Sequence, residues 1–224
     1  MITTELVLAR HGQAHCNADG VVGGPRTCTG LTSLGRDQMK AAATRLDAEH
    51  ETAAFAALYT GPRRRLRESA EILAATFGME VIVDAGLDGP VHGEADGRPW
   101  HQVKTAAHGG PHAHPDQPWA TGSDTWNDYL QRAGGFLADL IRRHDGDRVL
   151  LTAHGETVLA LHTLLLELRP GLQTGFTVDH ASLTRWQHHR NRLGQHRWLL
   201  DQHNDTTHLA NLAPDRDRGD DDQF

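Results

Sequence analysis

The chain has 224 residues, 38% of them hydrophobic and 5% aromatic, and a formal net charge of −7. That length suits one core-sized domain, and the acidic balance speaks against a nucleic-acid binder, whose phosphate affinity comes from basic surface. No run is long and apolar enough for a membrane span, and MITTELVLARHG lacks the basic and apolar regions of a secretory signal, so a cytoplasmic protein is expected.

In chain order, the first strand is predicted over 5–9, ending in Arg10-His11-Gly12. Cys16 and Cys28 have neither disulfide-framework nor metal-ligand spacing and read as free thiols. Thr32 or Ser33 caps a predicted helix running to His50, with Leu34, Ala42 and Leu46 on one face. A short strand at 57–59 leads into TGPRRR. Leu66, Ala70, Leu73 and Phe77 then keep helical rhythm until Gly78 stops it. Residues 80–83 form another strand.

Residues 86–122 are rich in Gly, Pro and His and lack periodicity, which reads as an irregular insert or lid. His108, His112 and His114 in this stretch invite a metal reading, but a Gly/Pro-rich loop does not fix ligands, and no metal or cofactor is expected. A second amphipathic helix begins near Ser123 or Asp124 and faces inward with Trp126, Leu130, Leu137 and Ile141. A strand at 148–152, a helix at 156–168 and strands near 181–186 and 196–200 complete the pattern. The charged tail, 213–224, is expected to be disordered, leaving a single domain over 1–212. Strands alternating with helices predict an α/β fold, a three-layer αβα sandwich with a mostly parallel central sheet.

In such sheets ligands bind beyond the carboxyl ends of the strands. Two strands here end in His-Gly, at His11-Gly12 and His154-Gly155, and each Gly is read as clearing space for a ligand. The second also opens a helix, whose free N–H groups favour an anion. Arg10 and the arginines of Gly61-Pro62-Arg63-Arg64-Arg65 add donors suited to phosphate oxygens. A neutral imidazole among them can attack phosphorus and carry the phosphoryl group.

Arg10-His11-Gly12 with Asn17, then TGLTSLGRDQ, YTGPRRRLRESAEILA, TAHGET and HNDTTHL in order, resembles the histidine phosphatase superfamily, the phosphoglycerate-mutase-like proteins. The resemblance spans roughly 5 to 212. It implies His11 as phosphorylated nucleophile, Arg10 and Arg65 as binders of the phosphoryl oxygens, and His154 as stabiliser of the transferring group. It places Asn17, Thr29, Gly30 and Gly155 around the phosphate or substrate. Arg63 and Arg64 are expected at the surface or rim, and Arg36 on a solvated helix face.

One departure stands out. The family's general-acid glutamate belongs to a Glu-x-x-x-Gly-x-x-x-Gly stretch, and Gly93 and Gly97 fit its glycines, which puts Gly89 at the glutamate's place. Asp88 is favoured as substitute by proximity, with Glu94 and Glu156 as alternatives and His92 as a further candidate. The implied function is a metal-independent phosphatase that dephosphorylates a small phosphorylated metabolite through a phosphohistidine intermediate. The alternatives are a phosphomutase of the phosphoglycerate type and a non-catalytic relative that binds a phosphorylated ligand or a protein. Beyond the small phosphorylated substrate, a homodimer is left open as the one partner.

Overall fold

A computed structural model describes residues 1–108, 113–171 and 175–212. His112 and the 213–224 tail lie outside the described residues. The strands are β1 (Ile2–Arg10), β2 (Ala57–Thr60), β3 (Val81–Val83), β4 (Arg148–Ala153), β5 (Leu183–Arg190) and β6 (His196–Asp205). The helices are α1 (His15–Ala18), α2 (Ser33–Thr52), α3 (Arg64–Phe77), α4 (Trp100–Ala106), α5 (Trp126–Arg143) and α6 (Gly155–Leu165).

The strands form one six-stranded sheet in the order β3-β2-β4-β1-β5-β6. The four strands from β3 to β1 run parallel, while β5 and β6 add an antiparallel edge. Residues alternate across β1, as the period of a strand requires. Leu6 and Leu8 pack with Phe136, Leu137 and Leu140 of α5 and Val158 and Leu161 of α6. Val7 and Ala9 pack with Met39, Ala42 and Leu46 of α2 and Leu73 of α3. Helices thus cover both faces, so the αβα layering is as expected, and the inner parallel strands β2 and β4 with the C-terminal half of β1 are buried on both sides, whereas the edge strand β3 exposes Ile82 and Val83.

Helix ends follow their capping residues. The Thr32 hydroxyl accepts the Gly35 N–H at 3.0 Å to start α2, and Thr125 and Asp128 form a reciprocal cap on α5. Gly78 stops α3 at φ +66°.

The differences from the sequence reading lie in polar stretches. β5 and β6 extend to Arg190 and Asp205 because they pair with each other along a hairpin, a contact that hydrophobic periodicity does not register. The 86–122 segment contains 3-10 turns at Ala85–Leu87 and Gly93–Ala95 as well as α4. Ala95, Val103 and Val22 share a small core with Trp100. Asp96 ties the same segment to the 20s loop: its carboxylate accepts the N–H groups of Gly24 (2.9 Å) and Arg26 (3.0 Å) and the Thr27 hydroxyl.

Candidate active site

β1 and β4 are neighbours in parallel, with Arg10 opposite Ala153 and the His11 N–H donating to the Ala153 carbonyl at 3.0 Å. The residue after each strand is a buried histidine, His11 and His154, and their rings meet edge to face at 5.3 Å. The His11 Nδ1 lies 2.8 Å from the Gly12 carbonyl, an acceptor, which assigns the ring proton to Nδ1 and leaves Nε2 unprotonated as an acceptor. Arg65 Nε donates to that Nε2 at 3.1 Å, and Arg65 Nη1 is anchored on the Gly23 carbonyl at 2.7 Å.

Burial, with Arg65, Arg10 and His180 nearby, holds the His11 pKa well below the ordinary imidazole value. Burial and the charges of Arg65 and Arg63 do the same for His154. Both rings are therefore neutral at physiological pH. His154 precedes α6, and neither of its ring nitrogens, fully buried, has a hydrogen-bond partner among the described residues. Buried polar atoms without partners are costly, and a ligand oxygen beside His11 would accept the N–H of this ring.

Arg10 donates to the Val178 carbonyl, and its Nη2 lies 3.1 Å from His180 Nε2. The His180 ring stands 5.8 Å from that of His11. Sequence reading missed His180, because no glycine or cation flanks it in VDHASL to mark a strand-end site.

The glycines act differently from the ligand-clearing role assigned to them. A Cβ on Gly12 would lie 2.2 Å from the Gly35 carbonyl oxygen, so Gly12 admits the first turn of α2. A Cβ on Gly155 would approach the Arg10 guanidinium at 3.5 Å, ordinary contact. Gly30, at φ +103°, faces the Glu68 carboxylate, which accepts the Leu31 N–H at 2.8 Å. The Asn17 side-chain Oδ1 accepts the Ala14 N–H at 3.1 Å, and Thr29 is exposed on its loop.

Arg63 corrects the surface reading: it is 4% exposed, whereas Arg64 is a surface residue paired with Glu68. Arg63 Nε lies 2.6 Å from Asp88 Oδ1, Nη2 donates to the Pro90 carbonyl at 2.6 Å, and Nη1 is 3.2 Å from both the Gly23 carbonyl and His92 Nε2. Arg36 pairs with Glu68 at 2.9 Å across the loop before α2.

The three candidate acids part company. Asp88, ion-paired to Arg63, has its Oδ1 3.7 Å from His154 Nε2. Glu94 is exposed on its 3-10 turn. Glu156 lies half-buried in the first turn of α6. Gly89 adjoins His154: a Cβ there would stand 2.9 Å from its Cδ2. His92 is 2% exposed and is pushed down to about 3 by burial and Arg63, so it is a neutral ring and no proton donor by charge.

Fold and site together define an α/β sandwich with two buried histidines, flanked by Arg10 and Arg65, at the carboxyl ends of adjacent parallel strands. The chain belongs to the histidine phosphatase superfamily (branch 1), whose family model matches residues 6–205, and it is a phosphoric monoester hydrolase. It is 26% identical over 221 residues to a metal-independent phosphoserine phosphatase of Arabidopsis thaliana, covering 94% of this chain and 85% of that protein. A 2,3-bisphosphoglycerate-dependent phosphoglycerate mutase of Thermoplasma acidophilum is 25% identical over 178 residues, 80% of this chain and 84% of that protein. Among solved structures, a mycobacterial glucosyl-3-phosphoglycerate phosphatase superposes with a TM-score of 0.74 at 26% identity, covering 89% of this chain and 98% of that one. No helix among the described residues is long and apolar enough to cross a membrane.

Proposed function

We propose that this enzyme hydrolyses the phosphate monoester of a small metabolite by way of a phosphohistidine on His11, without a metal ion. The observation that carries the reading is the His11 ring, neutral, with Nδ1 on the Gly12 carbonyl, Nε2 accepting from Arg65, and the ring edge to face with that of His154. A lone pair so oriented is the nucleophile that phosphoryl transfer requires. Arg10, Arg65 and His154 would hold the three equatorial oxygens as charge develops, the work a metal ion does elsewhere. Gly155 opens α6 and would offer its N–H to the same oxygens. Asn17, Thr29 and Gly30 line the loop from which substrate contacts are expected.

The names of the relatives favour phosphomonoesters of three-carbon acids, free or conjugated, as the first substrates to try. A panel of phosphoserine, the phosphoglycerates, glucosyl-3-phosphoglycerate, sugar phosphates and nucleotides should yield one compound that stands out in kcat/KM. Acid-labile, base-stable phosphate should appear on His11 when turnover of p-nitrophenyl phosphate is quenched with alkaline detergent, and His11→Ala should lose roughly 10³-fold or more in turnover. Undiminished turnover in His11→Ala excludes the mechanism. The likeness to a mutase supports a second reading, in which the phosphate returns to the product, and release of inorganic phosphate into water separates the two.

A further inference from the structure

The histidine that no motif announced, His180, is bound to both members of the Arg10-His11 pair. Its turn meets their backbone: the Arg10 N–H donates to the Ser182 carbonyl at 3.0 Å, and the Ala181 N–H to the His11 carbonyl at 3.1 Å. The turn closes through the Ser182 N–H and the Asp179 carbonyl, 3.1 Å apart, and Ala181 stands in it at φ +55°, where few residues other than glycine are found. The His180 ring is buried, 5.8 Å from that of His11, with its Nε2 3.1 Å from Arg10 Nη2. A guanidinium can only donate, so His180 Nε2 is the acceptor and the ring proton belongs on Nδ1. Arg10 Nη1 donates to the carbonyl of Val178, just before the turn.

The ending HNDTTHL grips this turn from outside. Asn204 accepts the Asp179 N–H on Oδ1 at 2.7 Å and donates from Nδ2 to the Asp179 carboxylate at 3.0 Å. Asn204 holds a left-handed backbone, φ +52°, which suits Asn better than most residues. His208 Nε2 donates to the Ala181 carbonyl at 3.0 Å.

We infer that His180 is a positioning residue for Arg10, held in register by Asn204 and His208, an assignment that rests on the reading of Arg10 as a binder of phosphoryl oxygens. An arginine stem has many rotamers, and holding it in one of them costs entropy. Two acceptors on one short segment, the Val178 carbonyl and His180 Nε2, fix the plane of the guanidinium before a phosphate arrives. The direction from which Arg10 meets the phosphoryl group is thereby set, and little freedom is lost on binding. The carbonyl belongs to the backbone, so His180 is the half of this clamp that a substitution can remove.

Inorganic phosphate, as a competitive inhibitor, reads the clamp without regard to how much of a preparation is active. His180→Phe keeps a ring of similar size without the acceptor, and should raise the phosphate Ki and lower kcat/KM roughly 10-fold or more. His180→Gln can place its Oε1 where Nε2 stood and should recover most of both losses. Phenyl phosphate and p-nitrophenyl phosphate, which differ in the basicity of the oxygen released, should suffer alike. Asn204→Asp tolerates the same backbone but loses the Nδ2 donor, and should raise the phosphate Ki in the same direction by less. The assignment is overturned if His180→Phe lowers kcat with the phosphate Ki unchanged, the mark of a merely structural role. It is equally overturned if His180→Gln is as damaged as His180→Phe, or if phenyl phosphate alone is affected, the mark of a proton donor. An Arg10→Ala protein that keeps the wild-type phosphate Ki would defeat the parent reading instead, whatever His180 does.

Discussion

Gly12 and Gly35 meet backbone to backbone, with Gly35 just as close to the Gln13 carbonyl, where a Cβ would stand 2.0 Å from the oxygen. A methyl group at either place must push α2 away from the loop that carries His11. Gly12→Ala is expected to cost about 1–3 kcal/mol, the range of overpacked cores, and to lower kcat through a displaced His11. Thermal melts and kcat measured on the same preparation check both parts. Arg10, His11, Arg65 and His154 were legible in the sequence because short motifs at strand ends announce them. Arg63 was not, since the family pattern marks only Arg65 among the three consecutive arginines, and only the fold shows that both are buried. The purpose of Gly12 was misread for the same reason: its neighbour, Gly35, lies on the far side of a loop.

Among the elements, residues 88–96 are tied to neighbouring loops by two polar fasteners. One is Arg63, reaching Asp88, Pro90 and His92; the other is Asp96, reaching Gly24, Arg26 and Thr27. The Asp96 side chain is only 2% exposed, and its partners would be left unpaired without it. Asp96→Ala is expected to cost about 1–3 kcal/mol and to raise KM more than it lowers kcat, because the strand ends that carry the histidines are untouched. Steady-state kinetics beside urea unfolding tests that division. The segment's lack of periodicity concealed α4 and both fasteners, since polar contacts between loops leave no rhythm in a sequence. The main helices and parallel strands were readable because two-sided burial writes itself as apolar runs and stripes.

At the scale of the molecule, two sets of titratable groups withdraw stability one after the other as pH falls. A histidine held neutral has a folded pKa below its unfolded value of about 6.5, so its stabilisation is present above that pH and is lost as pH falls. His162 is driven down to about 3 by burial and His203, and His92 to about 3 by burial and Arg63. Each is expected to withdraw about 2 kcal/mol of stability by about pH 5. A second loss follows at lower pH. Burial would raise Glu5 and Glu49, but Arg185 and Arg148 outweigh it and hold both below the ordinary carboxylate value. Their stabilisation is present above the unfolded value and is lost as pH falls through the folded one. Melting temperature should therefore begin to drop below about pH 6.5, before the carboxylates titrate, and a flat curve down to about pH 5 would exclude this account.

The position of β1 in the sheet governs how the chain comes together. Its two neighbours are β4 and β5, so Leu6, Val7 and Leu8 have no sheet partner earlier in the chain than Arg148. During synthesis this apolar strand waits for more than half the protein to emerge. Closing such long loops precedes any reward from pairing, which makes the assembly slow and leaves an adhesive segment open to wrong partners meanwhile. The first strand to be made is among the last to be finished, and the nucleophile at its end is assembled with it.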